Sequence, residues 1–288
     1  MLIALAALLW GTTGTAQALG PAGITPLTVG ALRILVGGVA LLAWAAARGN
    51  LRSDARWHRP TVLLAGAGIA LYQPAFFGGT QQTGVAVGTI IAIGSAPVFA
   101  GIISLLRGER PTRRWLLATT LAVAGTVVLI AAGGGDQTLT IRPAGVLLAL
   151  TAGLAYVLYA AAIQRLTADH PAEAVVAVTM SLGALLLLPL LIIGDLAWVG
   201  SVRGVAVVLH LGLIATGLSY VSFGYGVRQV PIASVATLTL TEPLTAALLG
   251  IVVLGEPLAA QTLAGMILVF AGLTVLALPA RSRPLRSA

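Results

Sequence analysis

Apolar residues run along this chain in blocks of about 18 to 24, and about 20 are needed for a helix to cross the hydrocarbon core of a bilayer. Ten such blocks are legible, roughly at 1–19, 26–47, 60–80, 84–106, 113–132, 142–164, 172–193, 204–227, 231–253 and 260–280. The joints carry helix breakers: Gly20-Pro21, Arg59-Pro60, Arg110-Pro111, Gly133-Gly134-Gly135, Arg142-Pro143, His170-Pro171, Val230-Pro231 and Gly255-Glu256-Pro257. No joint has room for a soluble domain. The predicted class is an all-α integral membrane protein of ten transmembrane helices.

The pattern also repeats. At an offset of 146 positions (Pro243 against Pro97), Leu63 meets Leu209, Gly66 meets Gly212 and Phe77-Gly78 meets Phe223-Gly224. After a one-residue slip, Gly108-Glu109 meets Gly255-Glu256, and Ala124-Gly125 meets Ala271-Gly272. Each half holds five spans, an odd number, so the second half enters from the opposite side of the membrane. Two inverted five-helix repeats are expected, at 1–135 and 142–280, with a basic tail at 281–288. Secondary transporters are commonly built this way, with the cargo site between the halves. A duplicated scaffold that carries nothing is the plainer alternative.

Composition agrees with the spans. Of 288 residues, 58% are hydrophobic and only 8% charged, against about 25% charged in soluble domains. The net charge of +8 does not point to nucleic acid, because the basic residues sit in short loops rather than in a patch on a soluble domain. With the N-terminus in the cytoplasm, the cytoplasmic loops and tail hold thirteen arginines. The outer loops hold only Arg142 and Arg203, and Arg33 lies within the second span. That asymmetry orients both termini toward the cytoplasm. The apolar run that starts at Met1 has neither a basic leader nor a clear cleavage site, so it is expected to be the first span. All sixteen basic residues are arginine, which with the many Ala and Gly resembles the usage of a GC-rich bacterial genome; the expected location is a bacterial cytoplasmic (inner) membrane.

Polar residues inside the spans mark the candidate chemistry. Trp10, Thr13 and Gln17 fall on one face of the first span. Tyr72 and Gln73 lie at mid-depth in the third, beside Pro74, which frees a backbone carbonyl. Tyr156 and Tyr159 share a face of the sixth, and Tyr156 is the repeat counterpart of Trp10; an aromatic from each half could sandwich an apolar or aromatic cargo. Ser219, the counterpart of Gln73, and Tyr220 lie in the eighth. Ser234, Thr237, Thr241 and Thr245 line one face of the ninth, with Glu242 beside them. A carboxylate at the bilayer centre costs about 2.5 kcal/mol or more and is a functional candidate by default. Its roles divide between binding a substrate ammonium or a proton and pairing with Arg33, the other charge within the spans. Pro97 and Pro243 are expected to let the fourth and ninth spans bend. Packing against a neighbouring helix competes with cavity lining for every one of these residues. His210 could carry a coupling proton, though packing is the commoner role for a single intramembrane histidine.

Enzymatic and metal chemistry finds no support. There is no cysteine, no paired histidine spacing, no nucleophile elbow and no phosphate loop. No catalytic, cofactor-binding or metal-binding residue is expected. The partners are a small-molecule cargo and the lipid bilayer, with no nucleic acid.

Trp10-Gly11, Ala31-Leu32-Arg33, Ser95-Ala96-Pro97 with Arg107-Gly108-Glu109-Arg110, and Glu242-Pro243 with Leu254-Gly255-Glu256-Pro257 resemble the drug/metabolite transporter superfamily, of the EamA type. The resemblance covers nearly the whole chain and rests on the repeated arrangement rather than on any single motif. Met180 stands near the place of Arg33 in the second half, so an arginine-dependent role is one-sided. Within the superfamily the chain is similar to the YddG amino-acid exporters. That resemblance implies a central cavity lined by spans one, three, four, six, eight and nine, with five and ten outside it. It also implies efflux of amino acids, including aromatic or bulky neutral ones, or of related metabolites. Drugs, nucleosides and sugars are the alternative cargoes, and a scaffold without flux is the alternative of another class.

Overall fold

A computed structural model describes residues 1–51, 56–133 and 142–278. Arg52, Gly134, Gly135 and the expected basic tail with Arg281, Arg283 and Arg286 lie outside the described residues. The first seven crossings are single helices: α1 (Leu2–Ala18), α2 (Pro26–Ala47), α3 (Arg59–Thr83), α4 (Val85–Leu106), α5 (Arg113–Gly133), α6 (Pro143–Leu166) and α7 (Ala172–Ile193). The eighth is composite: α8 (Val202–Leu209), a π-helical stretch (His210–Leu218) and α9 (Ser219–Val227). The ninth is broken into α10 (Ile232–Leu238) and α11 (Thr241–Leu254), and α12 (Ala260–Ala277) is the tenth. Among the described residues, nine crossings are long and apolar enough to span a bilayer, and α1, at 17 residues, is shorter. Large apolar side chains such as Leu63, Leu116, Leu147 and Phe270 stand exposed on outward faces, as a lipid-facing surface requires.

Two glycines close joints that other residues would strain. Gly84, at φ 82°, is the whole connection between α3 and α4, and Gly255, at φ 72°, ends α11 in the left-handed region.

The contacts of the two halves exchange. α3 packs on α6 and α7, and the eighth crossing packs correspondingly on α1 and α2. α4 packs on α6 as α11 packs on α1. Two helix pairs, α2 with α7 and α5 with α12, join equivalent elements across the pseudo-twofold axis. In the latter pair the backbones nearly touch. A Cβ on Gly125 would stand 2.6 Å from the Val269 nitrogen, and one on Gly272 would stand 2.7 Å from that of Ala122. Small residues permit this approach, and within lipid such van der Waals packing drives association.

The described chain begins and ends at one end of the bundle. Gly226, at the end of α9, lies against Ile3. Arg114, at the start of α5, donates to the carbonyls of Val275 (2.7 Å) and Leu276 (2.5 Å), occupying acceptors that the end of α12 leaves open. Equivalent helices therefore run in opposite directions, as the odd span count of each half predicts.

Candidate functional site

The ninth crossing breaks for a local reason. Pro243 has no N–H to give to the Thr239 carbonyl four residues back. That carbonyl accepts from Glu242 N–H instead (2.9 Å), and Leu240 N–H turns back to Thr237 O (3.1 Å). The bend expected at Pro243 is a break at Thr239–Leu240, just ahead of the proline. Pro243 stands in the first turn of α11 rather than inside a helix, and Glu242 sits at the new helix start.

The break also resets which residues face inward. Of the threonine stripe, Thr237 bonds to Thr119 of α5 (2.7 Å) and Thr245 packs over Gly11 of α1. Thr239, absent from the sequence-derived set, faces the interior with Glu242. Helical periodicity carried across the break points to the wrong face, although the proline signals a bend there.

Two adjoining cavities lie between the halves. One is lined by Trp10, Tyr72, Tyr156, Tyr159 and Tyr220 together with the small residues Gly68, Ala92, Ala96 and Gly153. The other lies farther from the termini and is lined by Thr13, Gln17, Gln73, Phe76 and Phe77. Four residues line both: Trp10, Arg33, Tyr72 and Glu242. They form a waist at mid-depth. Of the ten sequence-derived binding candidates, nine therefore line one cavity or both. Ser219 lines neither. α2 contributes Arg33, an addition to the six expected lining spans, while α5 and α12 stay outside.

Ser219 is the support of Trp10. The indole N–H donates to its Oγ (2.9 Å), and the hydroxyl donates onward to Ala215 O (2.7 Å). Around Trp10 the rings of Tyr220 and Phe223 pack at 5.1 Å and 5.5 Å. Trp10 and Tyr156 meet edge to face, with centroids 6.3 Å apart at 88°. They touch here and enclose no slot between them, so the expected sandwich is not formed in this arrangement.

The waist charges are not bonded to each other: among the described residues no ion pair joins Arg33 to Glu242, and the buried Arg33 Nε has no hydrogen-bond partner. The same holds for Thr13 Oγ1, Tyr156 OH, Tyr159 OH and both polar atoms of the fully buried Gln73. Leaving one such neutral group unsatisfied costs about 1–3 kcal/mol, and most of these unmet donors and acceptors lie on the cavity linings.

At the termini end, hydrogen bonds tie the two halves together. Gln164 Nε2 on α6 donates to the carbonyls of Val227 and Val230, both at 2.9 Å, and Arg107 of α4 donates to Gln164 Oε1 (3.1 Å). Behind them, Tyr159 and Phe223 are fully buried and stacked with centroids 6.3 Å apart. At the other end the cavity wall includes exposed Gly14 and Ala246. Gln164 was not singled out from the sequence, because a glutamine at a helix end reads as an interfacial residue.

His210 lies away from the cavities, in a lateral cleft with Thr12, Thr15 and Leu19. Thr12 Oγ1 gives its proton to Leu9 O (2.7 Å) and accepts from His210 Nε2 (2.9 Å). A packing role accounts for it. Pro97 is buried within α4 and lines neither cavity. No cluster of three or more metal-ligating side chains occurs among the described residues.

Comparison with known proteins places this architecture. The chain matches the EamA-like transporter family twice, over residues 1–131 and 143–278. It is 40% identical over 286 residues to the uncharacterized transporter YwfM of Bacillus subtilis, covering 98% of this chain and 95% of that one. It is 30% identical over 248 residues to a probable terminal-alkyne amino-acid exporter of Streptantibioticus cattleyicolor, covering 85% and 81%. Similarity to the uncharacterized inner membrane transporter YicL of Salmonella typhimurium is 23% over 98% of this chain and 95% of that one. A solved crystal structure superposes with a TM-score of 0.80 over 96% of both chains at 23% identity, a likeness of fold.

Proposed function

Because the chain belongs to the EamA-like transporter family, we propose that this multi-pass membrane transporter exports amino acids, bulky neutral and aromatic ones among them, or closely related metabolites, by alternating access across the bacterial inner membrane. The observation that carries the reading is the waist: a carboxylate and a guanidinium, not bonded to each other, beside a cluster of aromatic rings at mid-depth between two repeats. The name of the Streptantibioticus relative supports the substrate class, and the arginine asymmetry of the loops supports cytoplasmic termini.

In that orientation the arrangement described above faces outward. The Gln164 bonds close the cytoplasmic side, and cargo leaves past Gly14 and Ala246. Trp10, Tyr72, Tyr156, Tyr159 and Tyr220 contact the apolar part of the cargo, while Thr13, Gln17, Gln73 and Glu242 offer polar contacts. Ser219 acts by holding Trp10. Return to the inward-facing state breaks the Gln164 bonds. The fourth and ninth crossings then pivot near Pro97 and at the Thr239–Leu240 break beside Pro243.

The test is exchange of labelled amino acids into proteoliposomes, with and without a pH gradient. Saturable exchange blocked by excess unlabelled amino acid is expected. Folded protein that exchanges no amino acid, but does exchange a drug, nucleoside or sugar, overturns the substrate class; folded protein that moves nothing overturns transport by this site.

A further inference from the structure

We propose that the waist is a clamp for a free α-amino acid: Glu242 takes its ammonium group, Arg33 its carboxylate, and the aromatic walls of Trp10, Tyr156, Tyr159 and Tyr220 its side chain. The proposal rests on the transport reading above and adds which groups of the cargo are read and where.

Three observations carry it. First, Arg33 and Glu242 line both cavities, so a molecule entering from either side meets both. Second, they do not satisfy each other. A structural ion pair would have its nitrogen and oxygen in contact, and none is formed among the described residues, while the Arg33 Nε is buried without a partner. A guanidinium with free donors in a water-poor site is matched by a carboxylate, which accepts two parallel N–H bonds. A carboxylate beside the Thr239 position is matched by an ammonium. One ligand bearing both charges a bond or two apart settles both groups, and a ligand with only one leaves the other charge uncompensated in a low-dielectric site. Third, Trp10, Tyr156, Tyr159 and Tyr220 supply aromatic walls to the termini-ward cavity, adjoining the charges.

The clamp predicts discrimination by charge count. Exchange of labelled L-phenylalanine is measured in proteoliposomes, with two competitors that keep its ring and lose one charge each: phenethylamine and 3-phenylpropionate. In the unaltered protein each competes about tenfold or more weakly than phenylalanine, equivalent to about 1.4 kcal/mol. Glu242→Gln should weaken phenylalanine and bring 3-phenylpropionate level with it, leaving the gap to phenethylamine. Arg33→Gln should do the reverse. A residue that only supports the fold would lower all three together. The clamp is overturned if either single-charge compound matches phenylalanine in the unaltered protein, or if both variants change the three ligands in parallel. The unaltered protein alone decides the matter should a variant fail to fold. Exchange of amino acids without this discrimination defeats the clamp and leaves the export reading standing; exchange of no amino acid defeats both.

Discussion

Trp10 on α1 and Tyr156 on α6 occupy equivalent places in the two halves, and so do Ser219 on α9 and Gln73 on α3. In one pair the bond is made: the Trp10 indole donates to Ser219 at 2.9 Å. In the other it is not, and Tyr156 OH and both polar atoms of Gln73 are buried without partners. The helices around the two pairs make corresponding contacts, so the difference lies in the side chains and not in which helices pack together. Under the proposed alternating access, the half whose polar groups are unmet is the half with bonds to gain in the other arrangement, or from cargo.

Four substitutions break or sharpen this contrast. The largest effect is expected from Trp10→Ala, which removes a buried ring and its bond to Ser219. It should cost about 3–5 kcal/mol in stability and abolish exchange, read from thermal melting in detergent and from proteoliposome counterflow. Next is Ser219→Ala, which leaves the indole N–H buried and unpaired. A loss of about 1–3 kcal/mol is expected, along with slower exchange through a mispositioned Trp10. Gln73→Met should differ in kind. It keeps the side-chain volume and removes two polar atoms that have no partners here, so melting should hold or rise slightly while exchange falls. A drop in stability as large as that of Ser219→Ala would show that Gln73 is satisfied after all. The smallest change in melting belongs to Tyr156→Phe, within about 0.5 kcal/mol, because the hydroxyl it deletes is unpaired; reduced exchange with unchanged melting would assign that hydroxyl to the cargo.

The symmetric parts of the molecule behave differently from these arms. At the α5–α12 contact Gly125, Gly265 and Gly272 meet backbone across the axis. The small residues there were readable in advance as packing, because glycine at repeated helical spacing has one main use in lipid. The inner polar set was only partly readable. Trp10, Thr13 and Gln17 share a helix face, and the cavity wall receives all three. Ser219 shared the same kind of signal and proved to face a neighbour instead. Thr239 and Gln164 gave no signal that separates them from the many other threonines and loop-end glutamines.

Span number, apolar length, the repeat and its inversion were set by the amino-acid sequence itself. The bilayer demands about 20 apolar residues per crossing, and an odd number of crossings per repeat inverts the second by parity. The presence of a carboxylate and an arginine within those spans was equally plain. Only the tertiary structure decided that the two stand on one waist unbonded, that the ninth crossing breaks at Thr239–Leu240, and that Trp10 is satisfied while Gln73 is not. Those outcomes depend on how each helix is rotated about its own axis and on where its backbone loosens. Contacts with helices distant in sequence set both, and no local pattern records them.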